Sequence, residues 1–194
     1  MKTQSKALPS KAALLLVDVI NHFEFPDGER VLRQAMPIAP RIARLKARAR
    51  EAGIPTIYVN DNFGHWRSEA SRLVEYCTRE GASSRNFVEQ LRPDPEDYFV
   101  LKPMHSAFYQ TPLELLLREL GAATLIVCGL STNSCVVCTA HDARMRNFRL
   151  FVPSDCTAAR SKREYAQAIA HIASMTDANT SPAASLKLKE LAKA

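Results

Sequence analysis

Nowhere in this 194-residue chain does an apolar run approach the roughly 20 residues that a membrane-crossing helix needs. The early run from Ala12 to Val17 is too short, and too soon interrupted by Asp18, to be the apolar core of a secretory signal. Five cysteines are present but lack the paired spacings of a disulfide framework or a zinc site, so reduced thiols in a cytoplasmic protein are expected. There is no internal repeat, and no linker that would split the chain. Aromatic residues are missing from the densest cationic stretch, RIARLKARAR at Arg41 to Arg50, which argues against a nucleic-acid surface although the net charge is +6. On a helix that stretch puts Ile38, Ile42, Leu45 and Ala49 on one face and Arg41, Arg44 and Arg48 on another, with Lys46 and Arg50 flanking the apolar stripe. A solvated basic helix face accounts for it, and neither nucleic acid nor membrane is expected as a partner.

What is present suits one domain over residues 1–194 with a full-sized core, since 46% of the residues are hydrophobic. Strands are predicted over Ala12 to Asp18, Pro55 to Asn60, Asp97 to Lys102, Thr124 to Cys128 and Arg149 to Val152. Helical patterns fall between them, from about Met36 to Ala52, Ser71 to Arg79, Cys135 to Asn147 and Lys162 to Ser174. A further helix opens on a capping box of Thr111 and Glu114, with Pro112 at its first position, and closes at Gly121. The tail after Asp177 carries little signal and is read as a short edge strand or a terminal helix. Such alternation predicts an α/β fold whose parallel sheet is covered by helices on both faces.

Functional groups on an open parallel sheet collect at the carboxyl ends of its strands. Asp18 closes the first strand, Lys102 the third, and Cys135 follows the fourth through a small-residue turn. Placed at a helix start, Cys135 is expected to have a lowered thiol pKa, because free amides and the positive end of the macrodipole favour an anion. A cysteine nucleophile needs a base, a group that stabilises charge and donors for an oxyanion. Asp18 would be the base, with a pKa raised by its partly apolar setting. Lys102 would hold Asp18 and the thiolate in register, and the amides of Cys135 and of a residue in the preceding turn would bind the oxyanion. Each residue alone has a plainer reading: an aspartate at a strand end caps a helix or pairs with a base, and Lys102 before Pro103 is a solvated strand end. Cys77, Cys128 and Cys156 read as packing residues. Cys135 and Cys138 also form a C-x-x-C at a helix start, which leaves a thiol redox protein open.

The segments LLLVDVINHF, YFVLKPMHSAFYQTPLELLLRELG and LIVCGLSTNSCV resemble, in order and spacing, the isochorismatase-like cysteine hydrolases, which include nicotinamidases, N-carbamoylsarcosine amidohydrolases and ureide-cleaving relatives. The resemblance covers most of the chain. It implies a three-layer, doubly wound, mainly parallel sheet of six strands, with Asp18 as the catalytic aspartate, Lys102 as the catalytic lysine, a turn at Ser106, Ala107 and Phe108, and Cys135 as the nucleophile. It also implies a cis peptide joining Leu130 and Ser131, an oxyanion hole from the amides of Ser131 and Cys135, and a homo-oligomer. A nucleophilic cysteine argues for acyl or carbamoyl chemistry rather than the vinyl-ether cleavage of true isochorismatases. Nicotinamidases carry a D-x-H metal motif. Here the matching loop reads DNFGHW, and Asp61 with His65 falls short of the three or four ligands, roughly, of a stable zinc site. No metal or other cofactor is therefore expected, and nicotinamide is disfavoured as substrate. Phe23, Phe63, Trp66 and Phe108, with Asn21 and His65, are candidates to line a pocket, their plainer reading being rim or subunit packing. The expected function is hydrolysis of a C–N bond in a small carboxamide, carbamoyl or ureido substrate through a thioester. The alternatives are the redox protein and a non-catalytic binding protein on the same fold.

Overall fold

A computed structural model describes residues 10–64 and 69–193, and six parallel strands form its centre. They are β1 (Ala12–Val17), β2 (Thr56–Asp61), β3 (Tyr98–Lys102), β4 (Thr124–Leu130), β5 (Arg149–Phe151) and β6 (Thr157–Ala158). The order is β3-β2-β1-β4-β5, with β6 paired to the last residues of β4 where β5 has ended. β1 is apolar throughout and wholly buried, as a strand covered on both faces must be. Its pleat feeds two layers. Leu14, Leu16, Tyr58, Ile126 and Cys128 pack on one side, under α1 (Gly28–Ala35), α2 (Ala39–Glu51), α3 (Ala70–Thr78), α4 (Arg85–Glu89) and α8 (Leu188–Leu191). Leu15, Val17, Ile57, Val59, Leu125 and Val127 pack on the other, under α5 (Leu113–Glu119), α6 (Val137–Met145) and α7 (Lys162–Thr176). Among the described residues no helix is long and apolar enough to cross a membrane.

Several elements differ from the sequence expectation. The helix expected from Met36 begins as a 3-10 turn, Met36–Ile38, and becomes α-helical only at Ala39; α1, which was not foreseen, precedes it. Pro37 and Pro40 have no N–H to give, so one continuous ladder is impossible there. Ile38, Ile42, Leu45 and Ala49 are buried, as their spacing predicts. Lys46 is not a solvated flank. It is buried, 2.5 Å from Asp97, 2.8 Å from Asp94 and 2.9 Å from the Tyr58 hydroxyl. Arg48 donates to the carbonyls of Ala183 and Leu186, both at 2.8 Å, and so holds the tail. That tail does two things: Asn179 forms a parallel bridge with Phe151, and α8 packs into the α2 layer. The capping box does not form. The Thr111 hydroxyl accepts from the Leu113 amide and donates to the Ala107 carbonyl, whereas Glu114 turns to Arg118 and Arg146. β6, only two residues long, is too short for a periodic signal.

Candidate active site

The carboxyl edge of the sheet brings Asp18, Lys102 and Cys135 together. Asp18 leaves β1 with a left-handed φ of 50°, its amide still bonded to the Val59 carbonyl at 3.0 Å. Lys102 is the last residue of β3, and Asp61, the last of β2, stands opposite it in register. Between β4 and α6 the chain makes a five-residue π turn, Thr132–Val136, which holds Cys135. The Leu130–Ser131 peptide bond at its entry is cis. Gly129, with φ 114°, makes this approach possible, for a Cβ there would stand 2.0 Å from the Val17 carbonyl oxygen. Thr157 ties the turn to the sheet: its hydroxyl donates to the Gly129 carbonyl at 2.8 Å and meets the Thr132 hydroxyl at 2.9 Å.

The Lys102 ammonium, fully buried, is the centre of the cluster. It lies 3.0 Å from Asp18 Oδ2, 3.6 Å from Asp61 Oδ2, 3.4 Å from Cys135 Sγ and 3.1 Å from the Met104 carbonyl. The other Asp18 oxygen accepts the Asp61 amide at 2.7 Å. Burial pushes the Asp18 carboxyl above its ordinary range, only partly offset by Lys102 and its hydrogen bonds, including one with the Cys135 thiol. Burial pulls Lys102 down, but the charges of Asp18, Cys135 and Asp61 outweigh it, so its proton is held more tightly than usual.

Cys135 corrects the sequence expectation. Its thiol is pushed up to about 12, first by burial and then by the Asp18 charge, with Lys102 offsetting part. The side chain is only 8% exposed, and α6 proper starts two residues later, so the amide end of an α-helix is not what surrounds it. Cys138 is half-buried on α6, and both thiols are free; Cys77, Cys128 and Cys156 are wholly buried in packing.

Asn21 is buried and turned on its own loop, accepting from the Phe23 amide at 2.8 Å. Phe23 sits in the core edge-on to Phe87, and Phe108 lies under the Arg146 guanidinium beside Phe148, so both rings serve packing. Phe63 packs on His22. His65 and Trp66 lie outside the described residues. The turn at Ser106, Ala107 and Phe108 is fixed on α6 by the Ala107 amide, which donates to Thr139. Three neighbours of the site were missed. Asp61 was legible as a second carboxylate closing a strand, Ser134 stands beside Cys135, and His105 follows Lys102 by three residues with Nδ1 3.7 Å from Cys135 Sγ. Asp61 spends its other oxygen on the Phe63 amide, and among the described residues no group of three or more potential ligands converges to hold a metal.

Fold and site together define an α/β protein with a buried Asp–Lys–Cys cluster at the carboxyl edge of its sheet. Residues 12–183 match the isochorismatase domain, and the chain belongs to the isochorismatase family. It is 41% identical over 152 residues to the uncharacterized isochorismatase family protein YaaI of Bacillus subtilis, covering 78% of this chain and 83% of that one. Identity to the ureidoacrylate amidohydrolase RutB of Methylobacterium radiotolerans is 31% over 174 residues, covering 77% of this chain and 67% of that one. N-carbamoylsarcosine amidase from Thermoplasma acidophilum superposes with a TM-score of 0.69 at 28% identity, covering 91% of this chain and 99% of that structure.

Proposed function

We propose that this chain is a cysteine hydrolase that cleaves a C–N bond in a small carboxamide, carbamoyl or ureido compound. One observation carries the reading: a wholly buried ammonium, that of Lys102, stands within 3.0 Å of an acid and 3.4 Å of a thiol. A buried cation is costly unless anions surround it, and here one of the partners becomes an anion only during reaction. Similarity to proteins named as an amidohydrolase and an amidase supports the same class.

In this mechanism the Asp18 carboxylate takes the thiol proton as sulfur attacks the carbonyl, and Lys102 offsets the charge that develops on sulfur. The amides of Ser131 and Cys135 hold the oxyanion. What supports them is the widened turn, in which the Ser131 carbonyl accepts from the amides of Ser134 and Val136 rather than from that of Cys135. Asp18 returns the proton to the leaving nitrogen, and the C–N bond breaks to leave a thioester. Water then gives Asp18 a proton as it attacks, and collapse releases the acid and the thiolate, which recovers that proton. Loss of one oxyanion donor costs about 3 kcal/mol in such sites. The test is ammonia release from small amides, carbamoyl amino acids and ureides by the wild type and by Cys135→Ala. Release that vanishes in the variant is expected, and full turnover by Cys135→Ala overturns the mechanism.

A further inference from the structure

The mechanism leaves one group at the thiol without a task. His105 is exposed in the loop after β3, its Nδ1 3.7 Å from Cys135 Sγ and 3.5 Å from the Ser134 hydroxyl. Among the described residues, the charged groups packed round the thiol are Asp18 from the end of β1, Asp61 from the end of β2 and Lys102 from β3. With both acids ionised these described groups carry a net negative charge, and the Lys102 ammonium is buried and committed to those acids and to the Met104 carbonyl. An anionic substituent brought against the sulfur therefore meets repulsion from below. An imidazole on the open side, with a ring nitrogen toward both the sulfur and the Ser134 hydroxyl, can offer an N–H to such a group.

We propose that His105 is the residue that selects the substrate's substituent: its imidazole, with the Ser134 hydroxyl beside it, receives an anionic group, a carboxylate above all, carried next to the scissile carbonyl. This rests on the hydrolase reading, which places the substrate over Cys135. No covalent step falls to His105. It binds and orients, and a group held by both side chains lies within one contact layer of the sulfur.

Alkylation tests this without any known substrate. Iodoacetate and iodoacetamide each form an S–C bond with the thiolate and release iodide, and they differ chiefly in charge. Their relative rates at Cys135 are followed by peptide mapping at one fixed pH in the wild type, His105→Gln, His105→Arg and Ser134→Ala. The iodoacetate to iodoacetamide ratio should be about tenfold higher in the wild type than in His105→Gln. His105→Arg, a permanent cation, should keep the ratio high. A ratio unchanged by His105→Gln overturns the proposal. The two readings fail separately: a ratio that drops in His105→Gln without ammonia release from any compound leaves the anion preference and overturns hydrolysis, whereas a flat ratio with Cys135-dependent release does the reverse.

Discussion

Replacing Lys102 by methionine keeps most of its volume and deletes the one cation of the buried cluster. At 3.0 and 3.6 Å, and with an effective dielectric constant of about 20, its attraction to Asp18 and Asp61 is about 5 kcal/mol each, before the cost of burying the ammonium is subtracted. Breaking a buried pair from one side costs about 3–5 kcal/mol, because the remaining charge loses its partner. For a chain of this size that is a fall in Tm of about 10 °C. The loss should also depend on pH. Burial already holds the Asp18 carboxyl above its unfolded value of 3.8, so the folded state binds that proton more tightly and ionisation of Asp18 costs stability as pH rises. Without Lys102 the carboxyl moves higher still. The Lys102→Met penalty should therefore be greatest near pH 7 and shrink toward about pH 4, and adding Asp18→Asn should recover about 2 kcal/mol or more. Urea unfolding at the two pH values measures each quantity. A loss below about 1 kcal/mol at neutral pH, or one equal at both pH values with strictly additive single variants, would refute the assignment of Lys102 as the counter-charge.

Asp18→Asn should abolish amide hydrolysis yet make Cys135 more acidic, since the Asp18 charge is one of the causes holding the thiol at about 12; alkylation rate against pH, read beside turnover, separates the two effects. Gly129→Ala should cost about 3 kcal/mol or more, or prevent soluble expression, because the added Cβ meets the Val17 backbone rather than a side chain that can swing away; urea unfolding measures it. Thr157→Val should lower turnover more than it lowers Tm, as it frees the Thr132 hydroxyl and the turn that holds Cys135; equal small effects on both would argue against that link. In native thiol titration Cys138 should react first, and Cys77, Cys128 and Cys156 only on unfolding, as their burial requires.

The layers of the fold were legible because buried parallel strands read as short apolar runs, and Ala12 to Val17 or Thr124 to Cys128 leave little else to be. The meeting of Asp18, Lys102 and Cys135 was legible as well, since each follows a strand at its carboxyl end. What escaped has physical reasons. α1 escaped because GERVLRQA has two charged residues in its first three and no capping side chain bonds to it. Lys46 looked like a flank until Asp94 and Asp97, some fifty residues away, supplied its partners. His105 carries no periodic signal, and only the closing of the β3 loop onto the π turn brings it to the thiol.

The largest miss concerns the thiol, and magnitudes show why. A helix terminus offers a nearby anion about 0.3–1 kcal/mol, less than a tenfold change in acidity. Burial with Asp18 alongside moves Cys135 from 9.0 to about 12, worth about 4 kcal/mol in the opposite sense. No dipole of that size wins against it. Forming the thiolate in advance at neutral pH would then cost about 7 kcal/mol, which the proposed mechanism avoids by letting the proton leave as the S–C bond forms. An acceptor already in contact is what that requires, and the raised carboxyl of Asp18 is matched to the task better than an ordinary, strongly acidic aspartate would be. A sulfur held as the thiol is expected to oxidise slowly, because the thiolate is the reactive form. Reactivity in this site is thus expected to follow the arrival of a carbonyl over Cys135, and not any standing charge on the sulfur.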